Sequence, residues 1–405
     1  MIFNKEIKIY NYLIVVFLLK STYIWVGELI NKKMDDSEDS PHVIIDNGSY
    51  YIKTGISGEE GPRSVFPSCI GYTPYNDDKN KYIVGTDCEP MRDKLKINYP
   101  IEYGVVKNWD DMEKIWKHTY INELAMEPEY HNVMLTILPY SPKEQIEKSS
   151  EIMFEHFNVK GLYMEYPGCL SLYSEGKFDG FSIDLGDMVS NFIPILDGQY
   201  IPYNITRFDI GGRDITEFVK NSIINKIQKY LPNVQRDIIK DIKEKACYVP
   251  LEYEEELKSV EPFEYEMPDG EKLTIKDERI RCPEGLFKSS LIGKEDFDIG
   301  KICNDLIKKY KENEQKILYN SIVLSGGNSM FNGLPERLTR EIKSLAPYSM
   351  KEEVQVIASP ERKYSVVIGG SILSSIETFK NKWITKAEYE ESGPDIVYKK
   401  CIKSL

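Results

Sequence analysis

The sequence predicts an α/β chain folded as two lobes around a central cleft. Three stretches carry that expectation. In the first, the apolar run 43–45 enters Asp46-Asn47-Gly48-Ser49, and a short apolar segment containing Lys53 leaves it. An Asn-Gly turn between apolar segments is a hairpin signature. In the second, Asp184-Leu185-Gly186-Asp187 lies between Phe181-Ser182-Ile183 and Asn191-Phe192-Ile193-Pro194-Ile195-Leu196. Two Asp-x-Gly hairpins in one chain point to two similar lobes, each offering a turn to one ligand. In the third, Ile322-Val323-Leu324 runs into Ser325-Gly326-Gly327-Asn328-Ser329-Met330. Adjacent glycines after a buried strand let a ligand approach the backbone closely.

One such turn alone is an ordinary hairpin; the combination carries the chemistry. Backbone N–H groups at tight turns form anion-binding nests. A carboxylate beside each nest can hold a hydrated divalent cation, and magnesium is usually bound by one or two carboxylates with phosphate and water. Lys53 supplies a point charge for phosphate.

At 405 residues the chain is too long for one small core, so two domains are the default. Hydrophobic residues make up 41% and charged residues 29%, the balance of a soluble globular protein. The net charge of −13 argues against general nucleic-acid binding. Seven cysteines, none at Cys-x-x-Cys spacing, fit reduced thiols. With four scattered histidines there is no zinc pattern and no hydrolase elbow.

Long motifs then place the chain. The stretches 99–116, 152–173, 213–217, 241–249, 281–287, 323–333 and 360–401, in this order, resemble actin and the actin-related proteins, and the resemblance covers 34–401. It implies the two-lobed actin-like ATPase fold with a central nucleotide cleft. The first lobe would be 34–174 with 365–405, including a small outer subdomain at 68–98. The second would be 175–364, with its outer subdomain at 211–297.

Residues 1–33 stand outside the resemblance. Their apolar run 10–19 follows Lys5 and Lys8, in the manner of a signal-peptide core, but is too short to span a bilayer and meets Lys20. Met34 precedes Asp35, Asp36, Glu38 and Asp39, as the acidic start of actins does, so Met34 is expected to be the true start. Further on, 72–81 is shorter and more polar than the actin loop that grips a neighbouring subunit. It offers little apolar surface to bury. Asn108 starts a helix whose first turn holds Asp110 and Asp111. Ser141-Pro142-Lys143-Glu144 reads as a capping box opening the next helix, with Ile146, Ser150, Met153 and Phe157 on its inner face. In the second lobe, Ile215, Phe218, Val219, Ile223, Ile227 and Leu231 form a helical apolar stripe. Met267-Pro268-Asp269-Gly270 makes a hairpin turn. The segment around 294–298 is more charged than the actin loop that joins filament strands. Leu334, Leu338, Ile342 and Leu345 line a helix entered through Pro335.

The resemblance also implies a ligand set: ATP with Mg2+ in the cleft, and Asp46 and Asp184 as the carboxylates around the hydrated metal. Gly48, Ser49, Lys53, Gly186 and Asp187 would hold phosphate. Gly212, Lys243, Glu244, Gly326, Gly327, Met330 and Lys363 would hold the adenosine. Departures concentrate where hydrolysis occurs. Pro167 stands where actin has the glutamine that orients the attacking water, and proline has neither a side-chain donor nor an N–H. Asn191 replaces a histidine; an amide holds water but does not take its proton. Tyr50 and Met188 replace the last glycine of each turn, so the turns are expected to change shape or the site to be partly closed.

These residues leave three readings. The first is a divergent actin-like protein that binds ATP but hydrolyses it weakly or not at all. Its partners would be actin, actin-binding proteins or a multi-subunit complex, in the cytoplasm and cytoskeleton, with self-polymerisation not expected. The second is a filament-forming ATPase in which Glu165 replaces the missing glutamine. The third is a nucleotide-free interaction module.

Overall fold

A computed structural model describes residues 40–73, 81–227 and 236–402. The 10–19 segment, Met34, most of the shortened loop at 72–81, and Leu231 lie outside the described residues.

The Asn-Gly hairpin forms as its pattern requires: strand Val43–Asn47 pairs antiparallel with Tyr51–Ile56. The hairpin sits in a six-stranded sheet ordered Ile384–Thr385, Gly161–Glu165, Asn132–Thr136, Val43–Asn47, Tyr51–Ile56, Ser64–Pro67. The second hairpin, Gly180–Leu185 with Ser190–Leu196, anchors another sheet with Gln199–Tyr200, Ile322–Ser325 and Val356–Ile357, and Thr206–Phe208 adds to Ser190–Leu196. In both sheets the hairpin's first strand lies parallel to a later strand, Asn132–Thr136 in one and Ile322–Ser325 in the other. The register repeats too, with Asp46 opposite Lys53 and Asp184 opposite Asn191. The two halves therefore share a plan that is invisible as sequence identity.

The chain leaves the first sheet through helix Pro167–Ser174 and returns from the second through Ser365–Ser374. These helices touch at backbone distance. A Cβ on Gly369 would lie 1.7 Å from the Leu170 carbonyl oxygen, so only glycine fits this crossing.

One apolar cluster flanks the first sheet and runs on through Cys169 and Leu172 of the crossing helix to Ile193, Ile195 and Val323 of the second; another lies on the second sheet. Ile215, Val219, Ile223 and Ile227 of the expected stripe are buried, and Phe218 packs against them. Leu334, Leu338 and Ile342 are buried, whereas Leu345, at the helix end, is exposed. Asn108 caps helix Trp109–His118 by accepting from the Asp111 N–H. The capping box at Ser141 does not form. Helix Lys143–Glu151 starts after Pro142 without a side-chain cap, because the Ser141 hydroxyl donates to the Leu138 carbonyl in the preceding turn. The Met267–Gly270 turn closes the hairpin Phe263–Glu266 with Lys272–Ile275. In the charged segment before helix Ile299–Ile307, Phe297 is turned into the core against Phe208 and Phe192. Among the described residues no helix is long and apolar enough to cross a membrane.

Candidate functional site

The two hairpin turns and the Gly326-Gly327 turn face one another across a cavity of about 180 Å³. Neither Tyr50 nor Met188 adopts a positive φ, so the turns are closed without left-handed residues there. The tight bends fall on the glycines. A Cβ on Gly48 would lie 2.3 Å from the Tyr51 carbonyl oxygen, and one on Gly186 2.9 Å from that of Val189. Gly326 has φ +86° with Leu185 backbone beside it, so it serves the turn itself. Gly327 faces open space, which leaves its backbone approachable.

The carboxylates stand at the ends of the hairpins' first strands. Asp46 accepts from Lys53 Nζ at 2.6 Å and from Thr136 Oγ1 at 3.1 Å. Lys53 is pushed down by burial, but the Asp46 carboxylate outweighs this and its pKa is raised overall. Asp184 accepts from Ser325 Oγ at 2.9 Å and from the Asn191 amide. Burial raises its pKa, and the charge of Asp46 adds to the shift. Two buried carboxylates facing one cavity form an environment where a cation is welcome. Ser49 Oγ accepts from the Gly104 N–H at 3.3 Å, while Asp187 is paired with Arg236 at 3.2 Å and Arg213 at 3.3 Å.

The residues that the resemblance assigns to adenosine are mostly gathered here as well. Lys243 Nζ donates to the Gly212 carbonyl at 3.0 Å, and burial depresses its pKa. Glu244 lies 3.5 Å from Lys240. Both line the cavity with Gly212 and Lys363. Met330 does not; it follows the 3-10 turn Gly327–Ser329 and stays outside the lining.

Pro167 opens helix Pro167–Ser174 and lines the cavity, so no side-chain donor stands there. Glu165 does not replace it. The strand's alternation turns Met164 to the cavity and Glu165 to the other face, where it accepts from the Tyr166 N–H at 2.8 Å and from Tyr163 OH at 3.4 Å. Burial raises its pKa to about 7.

Tyr50 and residues the sequence did not single out, Tyr51, Arg92, Arg236, Asp237 and Lys240, complete the cleft. Tyr50 OH donates to the Asp237 carboxylate. Arg92 pairs with the same carboxylate at 2.8 Å. Lys240 Nζ donates to Tyr51 OH at 2.9 Å and lies 4.6 Å from both tyrosine ring centroids. Arg236 stacks on the Tyr50 ring at 5.1 Å while reaching Asp187. These contacts join the first hairpin to the helix Arg236–Ala246 across the mouth of the cleft. Asn191 Oδ1 and both amide atoms of Asn328 are buried without a partner.

The donor set suits a nucleotide with a hydrated divalent cation: two carboxylates, a lysine and turn backbone line one cavity. The space is tighter than the roughly 300–1,000 Å³ of most ligand pockets. Two side chains stand where the resemblance expects glycines, and a full nucleotide requires the mouth to yield. A family model described as Actin matches residues 37–402. With its repeated hairpin plan, its crossing helices and that match over nearly its whole length, the chain belongs to the actin family.

Proposed function

We propose that this actin-family protein binds ATP with Mg2+ between two lobes bounded as expected above, at 34–174 with 365–405 and at 175–364. The nucleotide serves as an interlobe ligand and not as a fuel. The observation that carries the reading is the convergence on one cavity of Asp46, Asp184 and Lys53 from opposite sheets. Asp46 and Asp184 would hold the metal through water, and Lys53 would shift from Asp46 toward phosphate. Gly48, Ser49, Gly186 and Asp187 would face the phosphates; Gly212, Lys243, Glu244, Gly326, Gly327 and Lys363 would face the adenosine. Bound magnesium supplies charge neutralisation for the phosphates. A ligand held only by the folded protein stabilises it by mass action.

Hydrolysis is expected to be weak or absent. Pro167 offers no donor to water, Glu165 faces away from the cleft, and Asn191 is no base at neutral pH. The protein would act as a cytoskeletal or complex subunit in the cytoplasm, with actin, actin-binding proteins or a multi-subunit complex as partners. Inward-turned Phe297 and the polar 72–81 segment favour this over self-polymerisation. Pro167→Gln tests the hydrolysis half of the reading. Phosphate release should rise on the order of 10²–10³-fold if a preorganised donor is what is missing. An unchanged rate with ATP bound refutes that assignment.

The bridge from Tyr50 to Asp237 favours a second reading, in which the cleft stays shut on itself and the chain is a nucleotide-free interaction module. Thermal unfolding with and without ATP and Mg2+ separates the two. Clear stabilisation excludes the module, and none at millimolar ligand excludes the nucleotide.

A further inference from the structure

Two of the seven cysteines meet in the small outer subdomain. Strand Ile70–Tyr72 pairs antiparallel with Tyr82–Val84, Ile70 opposite Val84. One step along that ladder the Gly85 N–H donates to the Cys69 carbonyl at 3.0 Å. Gly85, at φ +64°, bends the chain into the 3-10 segment Gly85–Lys94, and Cys88 comes back over the strand end. The Cys88 Sγ lies 3.3 Å from the Ile83 carbonyl oxygen and 3.2 Å from where a Cβ on Gly71 would stand, so Gly71 leaves room for the sulfur. The Cys69 Sγ lies 3.8 Å from the Gly85 carbonyl oxygen, and the two thiols are hydrogen-bonded to each other.

Burial raises each of the other five thiols, Cys169, Cys247, Cys282, Cys303 and Cys401. Cys88 differs. The hydrogen bond from Cys69 holds it below the ordinary thiol value, with the Gly71 N–H and the Arg92 cation adding to the shift and burial opposing it. Cys69, which gives that hydrogen bond, is raised. One thiol is thus set as a nucleophile, with a second in contact to resolve it. In the segment Gly85–Lys94 only Gly85 and Cys88 are buried, so a local opening of its 3-10 turns uncovers Cys88. A reduced pair of this kind suits a transient bond better than a structural one.

We propose that Cys69 and Cys88 form a reversible redox pair, which hydrogen peroxide oxidises to a disulfide that pins the segment Gly85–Lys94 to the strand Ile70–Tyr72. The Cys88 thiolate attacks one peroxide oxygen. An S–O bond forms, the O–O bond breaks, and the leaving hydroxide takes the thiol proton as water. The Cys69 sulfur then attacks the Cys88 sulfur of this sulfenic acid. The S–S bond forms, the S–O bond breaks, and hydroxide leaves with the Cys69 proton as a second water. Two thiols lose two electrons, and one peroxide gains them. The pinned segment carries Arg92, so oxidation acts on the side chain that meets Asp237 at 2.8 Å across the cleft.

The test is stoichiometric hydrogen peroxide on the reduced full chain, quenched with N-ethylmaleimide and mapped by peptide mass spectrometry. The chain should lose about two mass units, with Cys69 and Cys88 in one cross-linked peptide, and dithiothreitol should restore both thiols. In urea the preference for this pair should vanish, because the fold creates it. Cys69→Ser removes the resolving thiol, and Cys88 should then accumulate a sulfenic acid that dimedone traps. If that variant does not fold, the wild-type map decides alone. Both cysteines alkylated while Cys401, the least buried of the seven, is oxidised would overturn the proposal. So would a disulfide between other cysteines, Cys88 passing to sulfinic acid in the wild-type protein, or the same cross-link forming equally fast in urea.

Discussion

Replacing Tyr50 by phenylalanine should speed nucleotide release without abolishing binding. Its hydroxyl donates to Asp237 across the mouth of the cleft, so the bond must break for ligand to leave. A hydrogen bond to a charged group contributes about 1.5–3 kcal/mol when buried. The Asp237 side chain is 35% exposed and shares its charge with Arg92, which cuts the contribution to about 1 kcal/mol. That corresponds to release about fivefold faster. Tyr50→Gly also removes the ring over which Arg236 and Lys240 sit, at 5.1 and 4.6 Å. Each such contact adds about 0.5–1 kcal/mol, so release should quicken by roughly fiftyfold. Stopped-flow chase of a fluorescent ATP analogue measures both rates. If both variants bind nucleotide and release it at the wild-type rate, the mouth is not the barrier, and the account of the closed cleft is wrong.

Two further expectations concern the fold that holds the site. Gly369→Ala places a methyl 1.7 Å from the Leu170 carbonyl, so the crossing helices must part. Unfolding should be easier by about 1–3 kcal/mol, visible as a lowered melting temperature, and an unchanged melt refutes the crossing. Glu165 has its pKa raised by burial from 4.5 to about 7, so between those values the folded protein binds more protons than the unfolded chain. The stability it contributes is present below pH 4.5 and is lost as pH rises through 7. Against Glu165→Gln, which does not titrate, the wild-type protein should lose about 3 kcal/mol across that window in urea unfolding. Parallel profiles contradict the burial argument.

What could be read from the sequence was local. Asp46, Gly48, Lys53, Asp184 and Gly186 lie in short hairpins whose turn chemistry is written in adjacent residues, and the structure gathers all of them on one cavity. The helical stripe from Ile215 to Ile227 was legible for the same reason. What failed depended on distant packing. The partner of Tyr50 is 187 positions away, and nothing in the spacing points to it. Asn328 follows a glycine pair, and nothing in that spacing tells that its amide is buried without a partner. Glu165 is the carboxylate nearest in sequence to Pro167, yet it does not reach the cleft. Strand Gly161–Glu165 is buried on both faces, so its apolar pattern does not say which face meets the cleft. Ser141 had the composition of a cap but spends its hydroxyl on Leu138.

The central claim is that the cleft holds ATP and leaves it intact. The most direct measurement is the nucleotide carried by the purified protein, released by denaturation and separated by chromatography. The account predicts mostly ATP, close to one per chain. Mostly ADP would contradict it, since catalysis would then survive without a donor at Pro167, and the filament-forming ATPase would become the better reading.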